Sequence, residues 1–278
     1  MKYLIVGANG FLGRELVEHF KGVHEIKTLS FRPGNQTDFK KIYDQLIKNY
    51  CPDVIINAGA SQTFGDKYDD ISDLVESNIC LPAILASGIK HNGSNSILIN
   101  IGSVWEDFNG IYSPFNAYAA SKKSASIFLE HFALDGVKVV HLKLSDTYGE
   151  NDKRNKVLNL VLNCLEHDTL LKMSGCEQIV NFIHVVDVIS GIEKAIDIAF
   201  LSKNKVLHSY SLVSNKSYQL KEIVIKAAEI YGKDIESLIE FGFYPYRNRE
   251  RFEFSVIDVL PGWEAQISIL DWLKNRPR

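Results

Sequence analysis

Short apolar runs alternate with stretches of helical periodicity through the first half of the chain. Residues 3–6 form an apolar run of strand length, and residues 11–20 place Phe11, Leu12, Leu16, Val17 and Phe20 on one side of a helix. Residues 25–29 predict a second strand, and 39–50 a helix with Asp38 as its N-cap. In the strand predicted over 53–57, Val54, Ile55 and Ile56 are continuously apolar, as expected where both faces are covered. Residues 71–90 read as a helix kinked at Pro82, 96–101 as a strand, 116–132 as a helix and 137–144 as a strand. This rhythm predicts an α/β fold, a parallel sheet wound by helices on both faces. Beyond residue 145 the rhythm breaks into helices over 155–167, 186–200 and 220–231 and strands over 180–185 and 206–213.

Composition narrows the picture. The 278 residues are 46% hydrophobic and 23% charged, ordinary for a globular chain with a core of its own. A net charge of −3 argues against a nucleic-acid or membrane-surface binder. One basic cluster, Arg247, Arg249 and Arg251, reads as a solvated loop. The four cysteines have no metal or CxxC spacing, and Cys51, Cys80 and Cys164 lie in or beside apolar stretches, so buried free thiols are expected. The first apolar run is too short for a signal peptide and no spanning run exists, so a cytoplasmic protein is expected. The eight histidines form no cluster and no HExxH, so no metal is expected, and His184 reads as a packing or backbone-bonding residue.

The first strand runs directly into Gly7-Ala8-Asn9-Gly10-Phe11-Leu12-Gly13, which opens a helix. In a glycine pattern of this kind one glycine permits the tight turn, one lets backbone approach a pyrophosphate, and one lets helix and strand pack closely. The helix start then receives the phosphates. The fold expected is therefore Rossmann-like and doubly wound, with a dinucleotide-binding domain over 1–145. A smaller C-terminal α/β substrate-binding lobe over 146–278 grows from the carboxyl edge of the sheet, and parts of it return to the first domain. Cofactor contacts are expected from Gly7, Asn9, Gly10, Phe11, Leu12 and Gly13, and from Ala58, Gly59 and Ala60, whose small side chains let a cofactor lie against backbone. The second strand ends in Leu29-Ser30-Phe31-Arg32 with no acid, so Arg32 favours NADP(H) over NAD(H). The pair Asp38-Phe39 can meet the adenine, although Asp38 is also the helix cap.

Tyr118-Ala119-Ala120-Ser121-Lys122 puts Tyr118 and Lys122 on one helix face. A neighbouring ammonium favours phenolate, so Tyr118 can exchange a proton with a carbonyl or alcohol oxygen near neutral pH. Ser103 ends a strand in Ile101-Gly102-Ser103, where ligands bind in open α/β sheets, and can bond the same oxygen; otherwise it is a turn serine.

These motifs, with Asn78 in Glu76-Ser77-Asn78, Ser145–Gly149 and Phe182-Ile183-His184-Val185-Val186-Asp187-Val188, resemble the extended short-chain dehydrogenase/reductases, the NAD-dependent epimerase/dehydratase family that acts on nucleotide sugars. The resemblance covers nearly the whole chain. It implies Ser103, Tyr118 and Lys122 as the catalytic set, Asn78, Tyr118 and Lys122 near the cofactor, and a nucleotide-diphosphate sugar as partner. Helical dimer faces are common in that family, so a homodimer is the candidate assembly, although the sequence itself does not give the oligomeric state. Within the family, Asp146-Thr147-Tyr148-Gly149-Glu150-Asn151-Asp152-Lys153-Arg154-Asn155-Lys156 is similar to the CDP-abequose and CDP-paratose synthases, which reduce a 4-keto group. The 4,6-dehydratases carry an Asp-Glu pair after the active-site hydroxyl; here Val104 and Trp105 follow Ser103, with Glu106 and Asp107 slightly later. The epimerase-reductases carry Cys and His where Trp105 and Asn151 stand. The resemblance thus implies reduction of an NDP-4-keto-6-deoxyhexose, with Ser103, Trp105, Asn151, Arg154 and Lys156 toward the substrate. Arg154 and Lys156 suit the diphosphate, or else they form a solvated helix start. A 4-epimerase and a non-catalytic NADP-binding subunit remain as alternatives.

Overall fold

The computed structural model describes residues 1–65, 67–108, 111–203 and 206–276. Strands β1 (Lys2–Val6), β3 (Val54–Asn57) and β4 (Ile97–Ser103) and the strand Val139–Leu144 are almost wholly buried, which is why β1 and β3 read as apolar runs without alternation. Strand β2 (Glu25–Leu29) is mostly exposed, and its Glu25 and Lys27 guard the sheet edge it occupies. Six strands pair in parallel in the order His208–Leu212, Val139–Leu144, β4, β3, β1, β2. The chain reverses direction across the sheet between β1 and β3, the switch point at which open α/β sheets bind ligands.

The helices are α1 (Phe11–Phe20), α2 (Gln36–Asn49), α3 (Tyr68–Leu74), α4 (Leu81–His91) and α5 (Ala117–Leu134). Helix α2 begins three residues before the predicted start, so Asp38 lies in its first turn and Asn35 precedes it. The break expected at Pro82 falls earlier, in a π-helical turn over Val75–Cys80. Pro82 itself sits in the first turn of α4, where a missing N–H costs little. The strand expected over 180–185 is two short strands, Ile179–Val180 and Phe182–His184. They divide at Asn181, whose side chain accepts from Ser214 N (2.9 Å) and donates to Ser214 O (2.9 Å).

The chain forms two compact units. The first comprises Met1–Leu144, Ile189–Leu212 and Val256–Trp263; the second comprises Ser145–Val188, Val213–Ser255 and Glu264–Arg278. In the first unit Leu4, Ile55 and Leu98 meet Tyr43, Leu85 and Leu129 in one core. In the second, Tyr148, Phe182 and Trp272 pack with Leu162 and Val224. There Asp187 accepts the amides of Gln266 (3.0 Å) and Ile267 (2.9 Å) and so ties down the segment leading to helix Ile269–Asn275. Cys164 and Cys176 are the buried thiols, and burial pushes both up. Cys51, expected inside, is exposed at the end of a turn, because the helix before it stops at Asn49. Among the described residues no helix is long and apolar enough to cross a membrane.

Candidate active site

The loops after β1 and β3 touch backbone to backbone. Gly7 has φ +85°, and a Cβ there would lie 2.5 Å from Gly59 N and 2.8 Å from Ala58 C. A Cβ on Gly13 would lie 2.2 Å from Gly7 O, so α1 closes directly onto the loop. No side chain caps α1 at Gly10, whose N–H bonds Gly7 O (3.0 Å). The result is a helix start with no side-chain cap over a cradle of small residues, which fits the pyrophosphate of a dinucleotide. Asn9 donates to Ser30 Oγ (3.2 Å) and accepts Arg14 Nη1 at its carbonyl (2.8 Å), so Arg14 braces the loop. Phe11 is buried and Leu12 half-buried at this end of α1.

Arg32 is exposed in a turn closed by Asn35 N to Arg32 O (3.2 Å), and Glu76 accepts Gly34 N in the same turn (2.7 Å). Asp38 is exposed beside it. Phe39 instead faces inward, edge-on to Phe31 (5.2 Å) and stacked on Tyr43 (6.0 Å). Ala58 and Gly59 are half-buried and Ala60 exposed. Asn78, on the π-helical turn, accepts Ser61 N (3.0 Å) and donates to Ser61 O (3.0 Å) and Ser121 Oγ (2.9 Å). Its amide therefore ties the loop after β3 to α5.

Helix α5 carries Tyr118 and Lys122 one turn apart, and Asn116 caps it by accepting Ala119 N (2.9 Å). Tyr118 is half-buried, its ring edge-on to Phe64 (5.8 Å). Lys122 is 3% exposed and donates from Nζ to Ile101 O on β4 (2.9 Å). Burial pushes its pKa down to about 8, against the opposing charge of Glu106. Two residues beyond Ile101, Ser103 ends β4 and caps a 3-10 turn, Val104–Glu106. Its Oγ accepts Trp105 N (3.2 Å), and its N–H donates to Glu106 Oε1 (2.7 Å). The structure thus brings Ser103 and Lys122 to the same end of β4.

The two acids after Ser103 are both engaged. Glu106 is 0% exposed and meets His141 Nε2 at 3.0 Å. Asp107 pairs with Lys123 (3.0 Å) and Lys143 (3.1 Å). Burial pushes Asp107 up, but the hydrogen bonds and charges of those two lysines outweigh it and hold its carboxyl below the usual range. Trp105 is half-buried, edge-on to Phe115 at 4.4 Å.

In the second unit Asn151 is exposed with φ +61°, a left-handed turn that Asn tolerates well. Arg154 is not a solvated helix start: it binds both Asp152 oxygens (2.7 and 2.8 Å) and Thr147 O (2.7 Å). Lys156 precedes the helix Val157–His167, and burial pushes its pKa down while Asp146 opposes. Half-buried Asp146 sits among Lys156, Arg251, Arg154 and Arg247; burial pushes its carboxyl up and those cations oppose. The loop reading of the basic cluster fits Arg247 and Arg249, which are exposed, and fails for Arg251, which is 3% exposed and packs over Phe254 at 5.6 Å. Sequence reasoning missed it because its partners lie elsewhere in the chain: Arg251 O accepts Ile179 N (2.9 Å). His184 accepts Val186 N (3.3 Å) and bonds Glu150 (3.2 Å), so it serves structure.

Comparison with known proteins adds to this geometry. The sequence model of the NAD dependent epimerase/dehydratase family matches residues 3–207. A CDP-abequose synthase of Yersinia pseudotuberculosis is 24% identical over 90% of this chain and 90% of its own length. Among solved structures, the UDP-glucuronic acid 4-epimerase of Bacillus cereus superposes with a TM-score of 0.82 at 17% identity, covering 99% of this chain and 97% of that one. RMD of Pseudomonas aeruginosa, solved with NADPH, superposes with a TM-score of 0.76 at 17% identity, covering 99% and 97%.

Proposed function

The chain belongs to the NAD dependent epimerase/dehydratase family and is a nicotinamide-dependent oxidoreductase-type enzyme that modifies a nucleotide sugar, and from that premise we propose that it reduces the 4-keto group of an NDP-4-keto-6-deoxyhexose with NADPH. The observation that carries this reading is the engagement of both carboxylates beyond Ser103. A dehydratase needs an acid available beside the catalytic hydroxyl. Here Glu106 is sealed against His141 and Asp107 is held by two lysines. Reduction needs no such acid. Similarity to a CDP-abequose synthase supports the same choice.

Gly7, Gly10 and Gly13 with Ala58 and Gly59 would hold the dinucleotide, and Arg32 would hold its 2′-phosphate. When bound, the reduced nicotinamide supplies a hydride. Tyr118 gives its phenol proton to the carbonyl oxygen as that oxygen becomes a hydroxyl. Ser103 Oγ donates to the same oxygen and orients it. Lys122, whose Nζ donates to Ile101 O, favours the phenolate that Tyr118 becomes and would donate to the nicotinamide ribose. Trp105 offers an apolar face to the 6-methyl group. Arg154, Lys156 and the exposed Arg247, gathered around Asp146, would hold the diphosphate, and the protein works in the cytoplasm.

The test is the absorbance of NADPH with a panel of keto sugar nucleotides. One NADPH is expected to be oxidised per sugar reduced, with NADH a poorer donor. Arg32→Asp is expected to lower kcat/KM for NADPH about 10-fold or more, the loss of one charge-assisted hydrogen bond, and to erase the preference. Equal use of both cofactors by the unmodified protein would overturn the Arg32 assignment. Cofactor binding without turnover would make the chain a binding subunit, and sugar inversion without net oxidation would make it an epimerase.

A further inference from the structure

Three polar side chains interrupt the apolar interior of the central sheet in one row. Asn57 on β3, Asn100 on β4 and His141 on the strand Val139–Leu144 are register partners, and none is more than 1% exposed. Gly59 N donates to Asn57 Oδ1 (3.2 Å), Asn57 Nδ2 to Asn100 Oδ1 (2.7 Å), and Asn100 Nδ2 to His141 Nδ1 (3.0 Å). His141 Nε2 then meets both Glu106 oxygens (3.1 and 3.0 Å), and Glu106 Oε1 accepts Ser103 N (2.7 Å). The pair closes over Gly102, where a Cβ would lie 2.4 Å from His141 Nε2 and 2.5 Å from Glu106 Oε1.

The direction of this relay is forced by its ends. Both are backbone N–H groups, at Gly59 and Ser103, and neither can reverse. Amides and imidazoles pass direction along, accepting on one side and donating on the other. A chain with a donor at each end needs one member that only accepts. Starting from Gly59, the hydrogen bonds assign His141 Nδ1 as acceptor and Nε2–H as donor, so the acceptor-only member is the Glu106 carboxylate.

We propose that Glu106 and His141 are positioning residues: they lock the amide of Ser103 to the turn beneath the cofactor through a buried relay, and they hold one negative charge beside Lys122. This rests on the reading that Ser103 and Lys122 act on the substrate and cofactor. Lys122 Nζ donates to Ile101 O two residues before Ser103, and the Glu106 charge opposes the burial that pushes the Lys122 pKa down. Asp107, next in the chain, pairs with both Lys123 and Lys143.

Moving the acceptor tests the relay. In Glu106→Gln every way of turning the amides leaves two donors face to face. In Asn100→Asp/Glu106→Gln the carboxylate stands at position 100, accepts Asn57 Nδ2 and His141 Nδ1–H, and leaves His141 Nε2 to accept from Gln. Each link from Gly59 to Ser103 then has one donor and one acceptor, with His141 Nε2 bonded to the Gln nitrogen in place of one Glu106 oxygen. Glu106→Gln is expected to lower kcat about 10- to 100-fold, as for a modest misplacement of a catalytic group, and to lower the melting temperature. The double variant is expected to restore the melting temperature and most of kcat on the acid side of the pH profile. Its alkaline limb is expected to stay displaced to lower pH, because the charge no longer sits beside Lys122. A merely structural role would restore both or neither.

Imidazole 15N spectra of the parent protein, with the His141 signal identified by its loss in His141→Gln, are expected to show the Nε2–H tautomer, and those of the double variant the Nδ1–H tautomer. An Nδ1–H or doubly protonated His141 in the parent overturns the relay. So does a double variant that melts no higher than Glu106→Gln. The spectra and melting curves need no substrate, so they stand or fall independently of the proposed reaction.

Discussion

Tyr118→Phe is expected to lower kcat about 100- to 10,000-fold, the usual contribution of a positioned general acid, while the Kd for NADPH changes little. Phenylalanine keeps the ring that lies edge-on to Phe64 and the helical register of α5. It removes only the hydroxyl, so fold and cofactor cradle survive and the proton source does not. Titration of NADPH fluorescence, alongside turnover, separates the two effects. A Tyr118→Phe protein that keeps most of its activity would mean that another group is the acid.

Lys122→Met is expected to injure both steps, lowering kcat at least as far as Tyr118→Phe and weakening NADPH about 10-fold through the lost charge-assisted hydrogen bond to its ribose. Methionine fills the buried channel but offers nothing to Ile101 O, which Lys122 Nζ holds at 2.9 Å. In the parent protein the Lys122 pKa is pushed down to about 8, so the ammonium loses its proton as pH rises through about 8. Activity is expected to fall over that range. Stability without cofactor moves the other way: between about 8 and the ordinary lysine value the unfolded chain binds more protons, so unfolding free energy rises with pH. Calorimetry across that window checks the sign, and Lys122→Met should flatten the rise. A pH–rate profile with no alkaline fall would place the controlling proton elsewhere.

The parts of the fold legible in the sequence are those set by local pattern. Helices α1 and Leu220–Tyr231 run over the residues that periodicity marked, because each presents one unbroken apolar face. Strands β1 and β3 were legible as apolar runs because both their faces are covered. The glycine turn was legible for the same reason its glycines are needed, since side chains at Gly7 and Gly13 would strike backbone. What local pattern could not supply was register. Asn57, Asn100 and His141 are 43 and 41 residues apart in sequence, and only strand pairing puts them in one row. The same limit hid the placing of Arg251, whose carbonyl accepts Ile179 N from far earlier in the chain. Phe39 was placed near the adenine because it follows Asp38, yet helix phase turns it into the core against Tyr43.

In each turnover one hydride is expected to pass from the cofactor to the sugar and stay there. The direct measurement is product analysis by mass spectrometry and NMR after reaction of an NDP-4-keto-6-deoxyhexose with NADPH deuterated at the transferring position of the nicotinamide. The expected product carries one deuterium at sugar C4 and one hydroxyl in a single configuration, with one oxidised cofactor for each sugar. A sugar inverted at C4 with no net cofactor oxidation, or one that loses water while the cofactor is regenerated, would make the enzyme an epimerase or a dehydratase rather than a reductase.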